Sequence, residues 1–200
     1  SPTSLPLTHT HTHNTGGGAD LNDPRNPVTA RRTASTVNMR NSYYNSSAPC
    51  FSGDSKMMMA NGTKMNVSQI RVGDRVRSVD GTVKMIKFIV KTLIRDGKTN
   101  LVRLSPSLLI TPYHPVRLKG KNWCFPIDLG QVKQETCDAV YSFVVEREEE
   151  EDQNESMSIC VGGIECASMG HGDTNPNTVH GHRYFGNRKL VIRDLSKLQN

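Results

Sequence analysis

Apolar and polar positions divide this chain at residue 50. Beyond it, apolar residues come in short runs broken by turn dipeptides. The run at 57–59 is followed by Asn61-Gly62, a two-residue hairpin signal. Val67, Ile70 and Val72 lead to a turn at Gly73-Asp74, and Val76 and Val79 lead to a further hairpin signal at Asp80-Gly81. Residues 83–94 are β-branched and apolar with Lys interspersed, and end in a turn at Asp96-Gly97. Residues 101–104, 108–111 and 139–145 (AVYSFVV) read as strands, with short ones at 159–161 and 190–192. No long window repeats with a 3.6 period. The pattern predicts an all-β fold of short strands and tight turns, interrupted by a charged, mobile loop over 146–157.

Residues 1–49 look different. They contain no Ile, Phe or Trp and are dominated by Thr, Ser, Asn, Gly, Pro and His. Such a segment buries too little apolar surface to offset the entropy of ordering, so a disordered flanking segment is expected there. THTHTH at 8–13 would point His9, His11 and His13 the same way from an extended chain, a weak metal site, with polar low complexity the favoured reading. Residues 50–200 then form one domain, long enough for a core.

Charge and cysteine content narrow the function. The net charge is +6, but the basic residues are scattered singly and the largest charge run, 146–152, is acidic. A nucleic-acid surface needs a clustered basic face, so no nucleic-acid partner is expected. No apolar segment approaches membrane-spanning length, so no membrane partner is expected either. The five cysteines are odd in number and lack CxxC spacing, which argues against a disulfide framework. With no secretory signal pattern, this suggests a reducing, cytoplasmic setting.

Two stretches carry candidate chemistry. Cys50 stands at the border between flank and fold, behind Pro49 and before Phe51. A thiol there can attack the carbonyl carbon of its own preceding residue, turning the Pro49–Cys50 amide into a thioester by an N-to-S acyl shift. That step needs thiolate character, a proton donor for the departing nitrogen and stabilisation of the oxyanion. LLITPYHPVRL, residues 108–118, spaces Thr111 and His114 as T-x-x-H in a turn stiffened by Pro112 and Pro115. A hydroxyl and an imidazole there can converge on one point, and histidine exchanges protons near neutrality. Pro49 crowds the attacked carbon and restricts Ala48 to extended conformations, so slow release at this junction is expected.

These motifs occur in a telling order. C-F-x-G-D at 50–54, N-G-T-K at 61–64, I-R-V-G-D-R-V at 70–76 and T-P-Y-H at 111–114 together resemble the Hint (hedgehog/intein) superfamily of self-processing domains. W-C-F-P at 123–126, ECASMGHG at 165–172, HRYFGN at 182–187 and VIRDL at 191–195 resemble its Vint type, found beside von Willebrand factor A domains. The resemblance implies a flattened, horseshoe-shaped all-β domain with Cys50 as nucleophile in a central cleft. It implies that Thr111 and His114 polarise the scissile amide and protonate its nitrogen. The substrate would be the chain's own N-terminal flank, and a von Willebrand factor A domain would be a neighbour.

Departures from the family pattern shape the expectation. The terminal His-Asn pair of splicing inteins has no counterpart near Cys166, where Ala167-Ser168 stand instead, and Ser142 replaces a frequent aspartate. N-terminal cleavage is therefore expected rather than full protein splicing, the thioester passing to water or to an outside amine or thiol. No residue matches the aspartate that activates a sterol in hedgehog-type domains. Cys166 falls near the missing pair and is expected to approach the cleft, as acyl acceptor, redox partner of Cys50 or packing residue. His171 and His182 lie in the matched segments, as candidates for proton transfer or, with Cys166, three ligands of a zinc site lacking a fourth. No cofactor or metal is expected. A non-processing β-domain serving as a protein-interaction module is the alternative, and a hydrolase of outside substrates a third.

Overall fold

The structure, a computed structural model, describes residues 48–147 and 157–197. The expected low-complexity flank up to residue 47, and most of the acidic loop, lie outside the described residues. Ala48 is described and is buried. Glu146 continues a strand rather than starting a loop, paired to Met85.

The domain is all-β, with one α-helix among the described residues, and is built as two curled antiparallel sheets. Its short opening strand β1 (Phe51–Ser52) lies in the middle of a seven-stranded sheet. On one side β1 pairs with β7 (Leu108–Ile110), and on the other with β11 (Ala139–Arg147). Beyond β7 come β6 (Lys98–Ser105) and β10 (Val132–Thr136); beyond β11 come β5 (Val83–Leu93) and β4 (Arg75–Arg77). A second sheet of six runs β3 (Lys64–Asn66), β2 (Lys56–Met58), β12 (Ser158–Val161), β13 (Ile164–Ala167), β8 (Val116–Arg117) and β9 (Trp123–Cys124).

Asn61-Gly62 closes the β2–β3 hairpin and Asp80-Gly81 the β4–β5 hairpin, as expected. Asp96-Gly97 also turns, but β5 and β6 do not pair, because β1, β7 and β11 come between them in the sheet. The strand expected at 190–192 is instead part of helix α1 (Arg188–Ser196). Asn187 caps it by accepting a 3.0 Å bond from the Leu190 amide, and Val191, Asp194 and Leu195 form its buried face. Residues i, i+3 and i+4 share a helical face, a spacing that no strand can bury on one side. Strand β10 is absent from the sequence reading because VKQET has no apolar alternation; it is a polar edge.

Two core clusters lie on opposite faces of the sheet holding β1. Phe51, Ile110, Phe143, Val145 and Cys166 belong to one; Cys50, Leu101, Val144, Tyr184, Val191 and Leu195 belong to the other, under α1. Alternation along a strand sends neighbours to opposite faces, and with a cluster on each face β11 buries every side chain from Ser142 to Val145; the extra residue at the irregularity is Lys87, on β5. The two sheets are joined through a buried lysine. Lys84 Nζ donates to Ser78 Oγ and to the Ser158 carbonyl, both at 2.7 Å, so its charge is solvated inside the protein.

Candidate functional site

Strand register assembles the site. Phe51 faces Ile110 across β1–β7 and Tyr141 across β1–β11. One residue back in the same registers, Cys50 faces Thr111 on one side and Ser142 on the other. The Cys50 amide donates to Thr111 Oγ1 at 2.9 Å, and the same hydroxyl donates to the Ala48 carbonyl at 2.9 Å. The Thr111 amide closes the ladder on the Cys50 carbonyl at 3.0 Å.

The other half of the Pro49–Cys50 peptide is also held. Ser142 Oγ donates to the Pro49 carbonyl at 2.6 Å and stands 3.2 Å from Cys50 Sγ. A carbonyl can only accept, so the Ser142 proton is committed to it, and the thiol must donate to Ser142. The result is an ordered line of proton donors, S–H to O–H to C=O. Burial pushes the Cys50 thiol up to about 12, partly offset by its bond to Ser142.

His114 follows Thr111 through a turn in which its amide bonds the Thr111 carbonyl. Its ring packs on Phe51 at 4.3 Å between centroids, and Nε2 donates to the Ala167 carbonyl at 2.8 Å. That partner fixes the proton on Nε2 and leaves Nδ1 bare. Nδ1 is buried without a hydrogen-bond partner among the described residues, although the nearby Cys50 carbonyl favours the charged ring. Burial outweighs both carbonyls and lowers the imidazole to about 4, so His114 rests neutral.

A cavity adjoins the scissile carbonyl. Pro49, Ser142, His114, His171, His180 and His182 all line it. His171 Nδ1 accepts from the Asp173 amide at 3.2 Å; His182 Nδ1 accepts from the Tyr184 and Phe185 amides, each at 3.1 Å. Both rings therefore carry their proton on Nε2. Burial lowers His171 to about 3, with His180 adding to the effect, and lowers His182 to about 4. Gly181 between the two last histidines is required by space: a Cβ there would lie 1.8 Å from the Asn175 carbonyl oxygen.

The structure thus brings Cys50, Thr111, His114 and the Pro49 carbonyl together, with His171 and His182 across the cavity. Cys166 does not join them. It points into the Phe51–Phe143 cluster, where Sγ meets the Ile164 carbonyl at 3.5 Å and burial beside Cys160 pushes its thiol well above the ordinary value. Its neighbour Ala167 supplies the contact to His114, because alternation along β13 sends the two residues to opposite faces. Cys166 thus lies in a different core cluster from Cys50 and outside the cavity that His171 and His182 line. Among the described residues no three His, Cys, Asp or Glu side chains gather as metal ligands would.

Sequence reading missed Ser142 as a participant, seeing it only as a substitution, and missed His180 and Asp173. The signals were present as a second histidine in HGH at 180–182 and an Asp-x-Asn turn at 173–175.

The Hint-domain family Vint matches residues 49–200. No curated protein sequence matches significantly. Among solved structures, a gp41-1 intein is similar at 13% identity, over 60% of this chain and 100% of its own, with a TM-score of 0.43. A DnaB intein from Synechocystis is similar at 12% identity, over 60% and 99%, with a TM-score of 0.43. A bacterial intein-like domain from Clostridium thermocellum reaches 18% identity over 60% and 96%, with a TM-score of 0.42.

Proposed function

The chain belongs to the Vint family of Hint domains, and from that premise we propose that it is a single-turnover autoprocessing domain whose substrate is its own Pro49–Cys50 peptide. Cys50 Sγ attacks the Pro49 carbonyl carbon, the C–N bond breaks, and the N-terminal flank passes onto sulfur as a thioester. One observation carries this reading: hydroxyls from two flanking strands hold both ends of a single peptide bond, with a thiol beside its carbonyl.

The proton balance is simple. The thiol loses one proton and the leaving amine gains one. With Cys50 near 12, on the order of one thiol in 10⁵ is ionised at pH 7. The Ser142 line avoids that penalty. As sulfur approaches carbon, the thiol proton moves to Ser142 and the Ser142 proton to the carbonyl oxygen, so little charge builds up in a buried site. His114, neutral and bare at Nδ1, takes the proton from the tetrahedral intermediate and gives it to the nitrogen as the C–N bond opens. Thr111 keeps that nitrogen oriented.

Intact mass of the full chain over a day, with and without dithiothreitol, beside Cys50→Ala, tests the proposal. A fragment beginning at Cys50, released faster with added thiol and absent from the variant, is the expected result. A wild-type chain that resists hydroxylamine, or the same fragment from Cys50→Ala, would overturn it and leave a non-processing β-domain.

A further inference from the structure

We infer that the cavity beside the Pro49 carbonyl holds the water that resolves the thioester, with His180 as its general base and Asp173 as the residue that positions His180. This rests on the acyl-shift reading and names the fate of its product.

The four histidines around the cavity are not equivalent. His171 and His182 accept backbone amides at Nδ1, so each offers only an N–H. His114 has its bare nitrogen beside the Cys50 backbone and is used in the first step. His180 is different. Its Nε2 lies 3.3 Å from Asp173 Oδ2, which can only accept, and so carries the proton. Its Nδ1 is left as a lone pair, buried with no hydrogen-bond partner among the described residues. A ring that lines the cavity with an unpartnered lone pair and a carboxylate behind it is arranged as a base.

The rest of the loop holds this pair in place. Asp173 accepts from the Asn175 amide and from Thr178 Oγ1, both at 2.7 Å. The His180 ring is stacked on Trp123 of β9, centroids 4.7 Å apart and 21° from parallel. The cavity has room for a water. It offers about 20 Å³ to the centre of a water-sized molecule, and one water needs at least about 10–15 Å³ with polar partners around it.

The step balances. Water oxygen bonds to the Pro49 carbonyl carbon while His180 Nδ1 takes one of its protons. The oxyanion forms against the Ser142 hydroxyl. The C–S bond breaks, and the proton on His180 returns to the Cys50 sulfur, which leaves as a thiol. The products are a flank ending in a Pro49 carboxylic acid, which loses the water's second proton to solvent, and a domain beginning with a free Cys50 amine. A thiol held near 12 is a poor leaving group unless it is protonated on departure, and a base that becomes an acid supplies that proton.

The test uses the full chain in ¹⁸O water, with and without dithiothreitol. Wild type is expected to release a flank carrying one ¹⁸O at its new carboxylate. His180→Gln is expected to slow release by water on the order of 10²-fold while release by dithiothreitol stays within about threefold. Asp173→Asn keeps one acceptor oxygen for the Asn175 amide but puts an NH₂ where Oδ2 accepts from His180 Nε2 and Thr178 Oγ1, so it removes the charge and the acceptor behind His180 together. His180 is faced by Asp173, His171, Arg117 of β8 and Glu165 of β13. Burial holds His180 below the ordinary histidine value and Asp173 partly offsets this, so this variant should move the acid limb of hydrolysis to still lower pH. Water release at the wild-type rate in His180→Gln overturns the inference and leaves the acyl shift intact. Equal loss of water and thiol release in both variants also overturns it, as a purely structural role. A wild-type chain that neither thiol nor hydroxylamine cleaves overturns the acyl shift, and the water site with it.

Discussion

Ser142 decides how a thiol this hard to ionise can react. Its single proton is donated to the Pro49 carbonyl, and its oxygen accepts from Cys50 Sγ. Ser142→Ala removes the oxyanion donor and the proton path together, so thioester formation should fall roughly 10²–10³-fold. Ser142→Thr, which keeps a hydroxyl, should recover most of that loss. The rate of hydroxylamine-sensitive fragment release measures both. An alanine variant within threefold of wild type would mean that the thiolate attacks unaided. Cys50, Thr111 and His114 were legible in the sequence because their chemistry is carried by residue type and spacing. Ser142 was not, because its place opposite Cys50 comes from the pairing of β1 with β11, which joins residues far apart in the chain. His180 was hidden for the same reason: its carboxylate partner belongs to a loop whose path only the fold defines.

At the scale of elements, the turn between β12 and β13 fastens the two sheets. Gly162 donates to the Lys56 carbonyl at 2.7 Å and its carbonyl accepts from Ser105 Oγ at 3.1 Å. Its φ is +59°, and a Cβ would lie 2.5 Å from Leu108 Cβ in β7, the strand that also presents Thr111 to Cys50. Gly163 beside it has φ of +83° with open space around it. Alanine at 163 should therefore cost only the left-handed backbone, about 1–2 kcal/mol. Alanine at 162 carries that cost plus the displacement of β7, and should also slow cleavage. Urea midpoints of the two variants, read beside cleavage rates, separate these effects; equal midpoints would remove the fastening role. The long strands β5 and β11 were readable because β-branched, apolar runs have few alternatives. Helix α1 was not. Nine residues give only about two and a half turns of period, and Leu190-Val191-Ile192 alone looks like a strand. What makes it helical is the Asn187 cap and a core waiting on one side.

For the whole molecule, burial of titratable side chains around one reaction centre sets a pH range for stability. His114 and His182 are lowered to about 4 and His171 to about 3. When unfolded, each takes up a proton near pH 6.5. Between those values the unfolded chain binds more protons than the folded one, so stability falls as pH drops. Each group contributes a slope approaching about 1.4 kcal/mol per pH unit within that window. On the alkaline side the sign reverses. Cys50 keeps its proton to about 12 and Cys166 well above 9.0, so the folded chain binds more protons there and stability is lost as pH rises past the unfolded thiol value. Urea unfolding of Ser142→Ala, chosen to slow self-cleavage during the measurement, should show a plateau between roughly pH 6.5 and 8.5 with a fall on each side. Adding His182→Gln should lessen the acid slope by about one group's share, and adding Cys166→Ser should lessen the alkaline one. An acid slope unchanged by His182→Gln would mean that this ring is hydrated and titrates as it does in the unfolded chain. The same burial that keeps the histidines neutral, and so able to act as bases, is then what confines the fold to near-neutral pH.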